Sequence, residues 1–146
     1  MPTTATKPAT TAGQAPTEEQ PTAESVTGYQ RTYPGRAEQV RQVRCDVARH
    51  LGDSPVAADA VLVASEIAAN AILHSRSRGE SFTIRLELHR DHCRMECQDS
   101  GGAWRRRWQG DRSHGLGIVE ALTGADGWGI ERVSGGDRVV WARLGW

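Results

Sequence analysis

The sequence predicts an α+β two-layer sandwich, in which the helices pack on one face of a mixed or mostly antiparallel sheet. Two patterns support this fold class. Two segments in the first half repeat apolar residues at helical spacing, and a third helix-like segment follows later. Shorter apolar segments are joined in pairs by brief turns, as neighbouring strands are. The predicted order is strand, two helices, two strands, loop, helix and two strands.

The size and charge of the chain narrow the class of protein. Its 146 residues suffice for one domain with a substantial core. The formal net charge is zero, which gives no electrostatic reason to bind nucleic acid or a membrane surface. No apolar run approaches the roughly 20 residues that span a bilayer, and the first residues lack the pattern of a secretory signal. We therefore expect a cytoplasmic protein without a direct nucleic-acid or membrane partner.

Residues 1–27 differ in composition from the rest of the chain. They are rich in Thr, Ala, Pro, Glu and Gln and contain almost no large apolar side chain. Such a segment cannot bury enough apolar surface to offset the entropy cost of becoming ordered. We therefore predict a disordered tail over residues 1–27 and a folded domain over residues 28–146.

The first predicted elements are a strand and an amphipathic helix. The strand covers residues 29–33 and ends at a Pro-Gly pair, and the helix covers residues 36–51. Residues 52–55, Gly-Asp-Ser-Pro, end this helix and cap the next one. Three arginines lie largely off the apolar stripe of the helix, which fits either a solvated face or a partner surface: Arg41, Arg44 and Arg49.

The second helix carries an unusual polar pair. It covers residues 57–73, contains no Gly or Pro, and is rich in good helix formers. At about 100° per residue, one apolar arc is predicted to hold Leu62, Ser65, Ala69, Ile72 and Leu73. Glu66 and Asn70 are four residues apart, so they are neighbours at the edge of this arc. A carboxylate beside an amide at this border could hold a hydrated cation and orient a nucleophile.

The second half of the chain is predicted to supply most of the sheet. Strong alternation of apolar and polar residues predicts a strand, and a second strand continues the pattern after a short turn. The predicted segments are strands at 82–89 and 93–98, a loop at 101–113, a helix at 114–122, and strands at 128–133 and 138–144 joined by a hairpin turn at 134–137.

The cysteines do not form an evident disulfide framework. There are three of them, Cys45, Cys93 and Cys97, and no Cys-x-x-Cys motif. Four residues of extended strand separate Cys93 from Cys97 by about 13 Å, which is too far for a disulfide. We predict buried structural thiols.

Three motifs together resemble one family. They are Glu66 with Asn70 on a helix, Asp99-x-Gly101-Gly102 at a strand end, and His114-Gly115-Leu116-Gly117 at a helix start. In this order they are similar to the Bergerat-fold ATP-binding domain (GHKL group) of histidine kinases and gyrases. The resemblance is strongest to the single-domain anti-sigma-factor serine/threonine kinases. Ser-Glu-Ile-x-x-Asn-Ala-x-x-His looks like their N box, and the likeness covers residues 29–144.

The resemblance implies ATP and Mg²⁺ as ligands, and the chemistry of the residues fits. The Asn70 carbonyl oxygen suits Mg²⁺, which prefers oxygen ligands and takes few from the protein. Glu66, one turn away, can polarise a hydroxyl for attack on the terminal phosphate. Asp99 can accept from the exocyclic amine of adenine, while Gly101 and Gly102 allow the backbone to approach the base closely.

The third motif is predicted to bind phosphate. Gly115, Leu116 and Gly117 open a helix, where free N–H groups and the helix dipole attract anions. His114 fits either a phosphate contact or an exposed loop histidine, and His74 is expected at the edge of the site. The family usually has a further glycine where this chain has residues 111–113, Asp-Arg-Ser. A Walker-type P-loop is excluded, because its motif is absent.

Two functions follow from the resemblance. The first is a serine/threonine protein kinase that regulates transcription by phosphorylating a small anti-anti-sigma-type partner. The second is a nucleotide-gated binding module that sequesters a sigma factor or another regulator with little or no catalysis. The family pattern is also compatible with a homodimer.

Overall fold

The computed structural model describes residues 27–74, 80–101 and 114–146. Within these ranges the predicted order of elements is confirmed. The elements are β1 (Thr27–Pro34), α1 (Gln39–Leu51), α2 (Ala57–His74), β2 (Ser81–Leu88), β3 (His92–Asp99), α3 (His114–Thr123), β4 (Trp128–Arg132) and β5 (Arg138–Gly145). The predicted tail and most of the predicted loop at 101–113 lie outside the described residues.

The five strands in the described part of the chain form one antiparallel sheet. Their order is β1-β2-β3-β5-β4, and each neighbouring pair runs antiparallel. The hairpins β2–β3 and β4–β5 account for two of the pairings, and β5 joins them by pairing with β3. The predicted α+β class is therefore confirmed, and the sheet is antiparallel rather than mixed.

The helices cover one face of this sheet, as predicted. Side chains on that face are buried, and cross-strand rows such as Ile84, Cys97 and Val140 lie in register. The opposite face is polar. There the Arg85 and Arg94 side chains pair with Glu96, and the Arg94 guanidinium stacks over Trp141 at 4.9 Å. No helix in the described ranges combines the length and apolarity that crossing a membrane requires.

The predicted apolar arc of α2 is wrong in part. Leu62 and Leu73 are 41% and 64% exposed, although both were expected on the core face. The face that is buried consists of Ala60, Val63, Ala64, Ile67, Ala68, Ala71 and Ile72. The reason is that α2 is apolar on nearly every side, so spacing alone could not select a face. Packing against α1, α3 and the sheet makes that choice.

The cysteine prediction holds for two of the three residues. Cys93 and Cys97 are buried in β3, where burial raises the pKa of the Cys93 thiol to about 12. Cys45 is exposed on α1, so its prediction as a buried thiol is wrong. It lies two residues from Val43 and Val47, which form the buried side of the helix.

A buried carboxylate joins the edge strand β1 to α1. Asp46 is only 4% exposed, and its oxygens accept hydrogen bonds from Tyr33 (2.8 Å), Arg31 (2.7 Å), Gln42 (2.9 Å) and Tyr29 (3.2 Å). Burial alone would raise the pKa of Asp46. The hydrogen bonds from these donors, together with the Arg31 charge, outweigh burial and hold the pKa below its ordinary value.

We predict that Asp46→Ala destabilises the domain by about 1–3 kcal/mol, because buried tyrosine hydroxyls lose their acceptor. Urea denaturation at pH 7 measures this loss. The folded-state pKa is depressed, so the stabilisation is present above about pH 4 and is lost as pH falls through the folded pKa. The difference between wild type and variant should therefore shrink below about pH 4.

A suitable control is Glu120→Ala, since Glu120 is exposed on α3 and should change stability by no more than about 0.5 kcal/mol. Equal effects of the two substitutions would contradict the assignment of Asp46 as the link between β1 and α1.

Candidate functional site

The three predicted motifs lie on elements that pack together. α2 contacts both β3 and α3. Ala71 of α2, Cys97 of β3 and Val119 of α3 are fully or almost fully buried members of one hydrophobic core. Each of these is within two residues of a predicted site residue, namely Asn70, Asp99 and Gly117. The three elements that carry these motifs therefore share one core, although the motifs are far apart in the sequence.

Asn70 is the inward-facing member of the α2 pair. The residue is 6% exposed, and its Nδ2 has no hydrogen-bond partner within the described ranges. Leaving a buried donor unsatisfied costs about 1–3 kcal/mol. Packing alone gives no reason to keep such a group at this position, so Asn70 is available to a ligand.

Glu66 is the outward-facing member of the pair. It is partly exposed and forms no hydrogen bond or ion pair with a residue that the structure describes. Glu66 borders an open groove between α1 and α2, whose other lining residues include Arg44, Leu62 and Ser65. Its carboxylate is therefore accessible to a group that approaches from outside the domain.

Asp99 ends β3 as one half of a buried ion pair. Its Oδ2 accepts hydrogen bonds from the Arg138 Nη2 (2.9 Å) and Nε (3.3 Å), and both side chains are 1% exposed. Its Oδ1 accepts from the backbone N–H of Gly101 at 2.7 Å. Burial raises the pKa of Asp99, and the bonds from Arg138 and Gly101 offset only part of this rise.

Gly101 is required by the backbone at this corner. Its φ is 71°, in the left-handed region that favours glycine. A Cβ atom at this position would overlap the carbonyl oxygen of Gly136, which lies in the turn between β4 and β5. The turn after Asp99 and the β4–β5 turn are therefore in close backbone contact.

Gly117 lies in the first turn of α3 and has no such requirement. A Cβ atom there would meet nothing within 4 Å. The first N–H groups of a helix have no partner within the helix, so the donors of this turn point away from α3 itself. Leu116 is partly buried beside them.

The remaining predicted site residues are His74, Gly102, His114 and Gly115, and the structure describes them only in part. His74 ends α2, while His114 and Gly115 begin α3. The side chains of His74 and His114 lie outside the described part of the chain, as does Gly102.

Sequence reasoning missed Arg138, the buried partner of Asp99. A signal was present, because Arg138 occupies a position of β5 that alternates inward with Val140, Ala142 and Leu144. A charge on the inward face of a strand requires a partner. The register that pairs it with Asp99 was not available from local sequence.

A family model described as "Histidine kinase-like ATPase domain" matches residues 33–137 of the chain. The chain belongs to this family. The predicted resemblance to histidine-kinase-type ATP-binding domains is thereby confirmed, and ATP is the nucleotide that the family implies.

A solved structure shares the fold of this ATPase domain. It is the crystal structure of the RsbU and RsbW domains of Rv1364c from Mycobacterium tuberculosis, with a TM-score of 0.62 and 21% sequence identity. The match covers 81% of this chain and 32% of that one, so the chain spans about a third of its length. Comparison with curated proteins found no match.

We predict that Gly101→Ala destabilises the ATPase domain by more than about 1 kcal/mol, because alanine is strained at positive φ and its Cβ would displace the β4–β5 turn. Thermal and urea unfolding measure this loss. Gly28→Ala is the matched control, since nothing lies within 4 Å of its Cβ position. A Gly101→Ala variant as stable as Gly28→Ala would disprove the close contact.

Proposed function

We propose that this domain is an ATP- and Mg²⁺-dependent serine/threonine protein kinase of the anti-sigma-factor type. Its substrate would be a small anti-anti-sigma-type protein. The observation that carries the proposal is a contrast on α2: the buried Nδ2 of Asn70 has no hydrogen-bond partner in the described ranges, and the Glu66 carboxylate is accessible. Membership of the ATPase-domain family supports the nucleotide, and the shared fold with an RsbW-containing structure is compatible with the regulatory class.

The residues present fit Mg²⁺-ATP. Asp99 would accept from the exocyclic amine of adenine, beside the backbone of Gly101. The triphosphate would lie at the start of α3, where Gly115 and Gly117 add no side-chain bulk. Asn70 would hold Mg²⁺ through its carbonyl oxygen. When bound, the metal would supply positive charge to offset the phosphates.

The proposed reaction places the catalytic role on Glu66. A serine or threonine hydroxyl of the partner attacks the γ-phosphorus, so a new O–P bond forms. The bond from this phosphorus to the β–γ bridging oxygen breaks, and ADP leaves. The hydroxyl proton passes to the Glu66 carboxylate. Most of the rate acceleration in such a transfer comes from positioning and electrostatics, so a single orienting carboxylate suffices.

The surface around Glu66 suits a protein partner. The groove that Glu66 borders continues along α1 past Arg41, Arg44 and Cys45, above an apolar floor of Ala48 and Val61. Apolar floors with arginine rims are typical of protein interfaces. A protein in this groove could bring its hydroxyl to Glu66.

The same surface supports a second candidate function. A nucleotide-gated module that sequesters a sigma factor or another regulator needs the groove and the nucleotide site but not the Glu66 carboxylate. The two candidate functions therefore differ in whether they require the Glu66 carboxylate, and substitution of Glu66 distinguishes them.

We predict that Glu66→Gln lowers phosphotransfer by about 10²–10⁴-fold, the usual contribution of a general base, while ATP affinity is retained. Asn70→Ala should instead lose Mg²⁺-dependent ATP binding. Labelled ATP, Mg²⁺ and a cognate anti-anti-sigma-type protein give the transfer rate, and calorimetry gives the affinity.

Unchanged transfer in Glu66→Gln would exclude Glu66 as the base. Partner binding without transfer by the wild type, retained in Glu66→Gln, would establish the second candidate function in place of the first.

We predict opposite effects of Gly117→Ala on the free and nucleotide-bound domain. The free protein should gain about 0.5–1 kcal/mol, because alanine favours the helix and meets no neighbour. ATP at 100 times its dissociation constant should stabilise the wild type by about 2.7 kcal/mol. The variant should lose most of this increment, because its methyl group crowds the phosphates.

Thermal unfolding with and without Mg²⁺-ATP measures both effects of Gly117→Ala. If ATP stabilises the variant as much as the wild type, the first turn of α3 is not part of the nucleotide site. The absence of any increment in the wild type would overturn the proposed function.

A further inference from the structure

The buried pair at the end of β3 and β5 makes Asp99 an unusual acceptor. Asp99 and Arg138 lie directly opposite each other in the strand register, and both are excluded from solvent. The Gly101 N–H holds the second carboxylate oxygen. Donors on both oxygens prevent the carboxylate from rotating.

The Asp99 carboxylate can accept a further hydrogen bond from a ligand. An ionised carboxylate has about four acceptor positions, and the described contacts of Asp99 use three of them. An ionised carboxylate can only accept hydrogen bonds, whereas a protonated carboxyl group can also donate one. The nucleobases that Asp99 can recognise therefore depend on whether its carboxyl group is ionised.

Arg138 is the charged group that favours the ionised form of Asp99, alongside the backbone N–H of Gly101. Burial opposes a charge on Asp99, and the neighbouring Asp137 opposes it too. Cys93 and Cys97 are the other titratable groups on the same face of β3. From β4, Arg132 lies opposite Arg138 in the register. Only Arg138 forms direct hydrogen bonds with the carboxylate through a charged side chain in the described ranges.

We infer that Arg138 is a positioning residue that determines base specificity, because it fixes Asp99 as an ionised, acceptor-only group that selects a base with an exocyclic amine. This inference rests on the proposed ATP site. Adenine presents such an amine, while inosine triphosphate carries a carbonyl oxygen in its place. A fixed carboxylate attracts the first and repels the second. A protonated Asp99 could donate to the carbonyl oxygen, and the discrimination would be lost.

The test compares ATP with inosine triphosphate by calorimetry in the presence of Mg²⁺, from pH 6 to pH 8. The wild type should bind ATP at least about tenfold more tightly, since a site built for one hydrogen-bonding pattern rejects the other. In Arg138→Met the ratio should fall below about threefold near pH 6, because Asp99 is then protonated more readily, and should recover as pH rises.

Two further variants serve as a graded substitution and as a control. Arg138→Lys retains the charge without the forked donors, so it should show an intermediate ratio and a flatter pH profile than Arg138→Met. Arg143→Met changes an exposed arginine of the same strand and should leave the ratio unchanged. If Arg138→Met does not fold, the Lys variant decides, and a wild-type ratio in it overturns the inference.

The outcomes separate the inference from the proposed function. A wild type that prefers ATP, with the same preference and pH profile in Arg138→Met, overturns only the role of Arg138. A wild type that binds neither nucleotide overturns the proposed function and this inference with it.

Discussion

The pairing of β3 with β5 fixes the corner around which the candidate site is arranged. It sets Asp99 opposite Arg138, closes the ladder with a buried ion pair, and brings Gly101 against the β4–β5 turn. Buried ion pairs are poor sources of stability, because desolvation offsets much of the attraction. The value of this pair therefore lies in the orientation and charge that it imposes on Asp99.

Under the proposed function, one turn of α2 carries both a ligand-binding residue and a catalytic residue. Asn70 lies inside the buried face, where its Nδ2, which no described residue satisfies, carries a cost in the free protein. Glu66 lies outside that face, beside a groove open to other molecules. The proposed metal ligand and the proposed catalytic carboxylate therefore lie on the buried and the accessible side of one helix.

Sequence reasoning predicted the elements well because their ends carry strong local signals. Pro-Gly and Gly-Asp pairs mark the ends of β1 and α1, and the alternation in β2 and β3 indicated which side chains face the core. Three outcomes needed tertiary information. The face of α2 depends on three packing partners, and the roles of Asp46 and Arg138 depend on residues far away in the sequence.

The site residues were identified as motifs, but their partners were not. A local pattern can place a carboxylate at a strand end, yet it cannot show what that carboxylate bonds. Asp46 illustrates the same limit, since an aspartate among arginines on a helix suggests a solvated face. Its burial follows from two tyrosines of β1, which the packing of α1 against β1 brings near.

The ion pair also has a consequence for the order of folding. Asp99 and Arg138 are separated by 39 residues, and the contact between them closes a long loop that includes α3 and β4. Such nonlocal contacts form late in folding, because the entropy cost of closing the loop arises before the contact can stabilise the chain. The β2–β3 hairpin can assemble from local contacts while Asp99 still lacks its counter-charge. The proposed nucleotide site would then form only when β5 joins the sheet. A folding intermediate without β5 in place would contain the β2–β3 hairpin but could not recognise adenine.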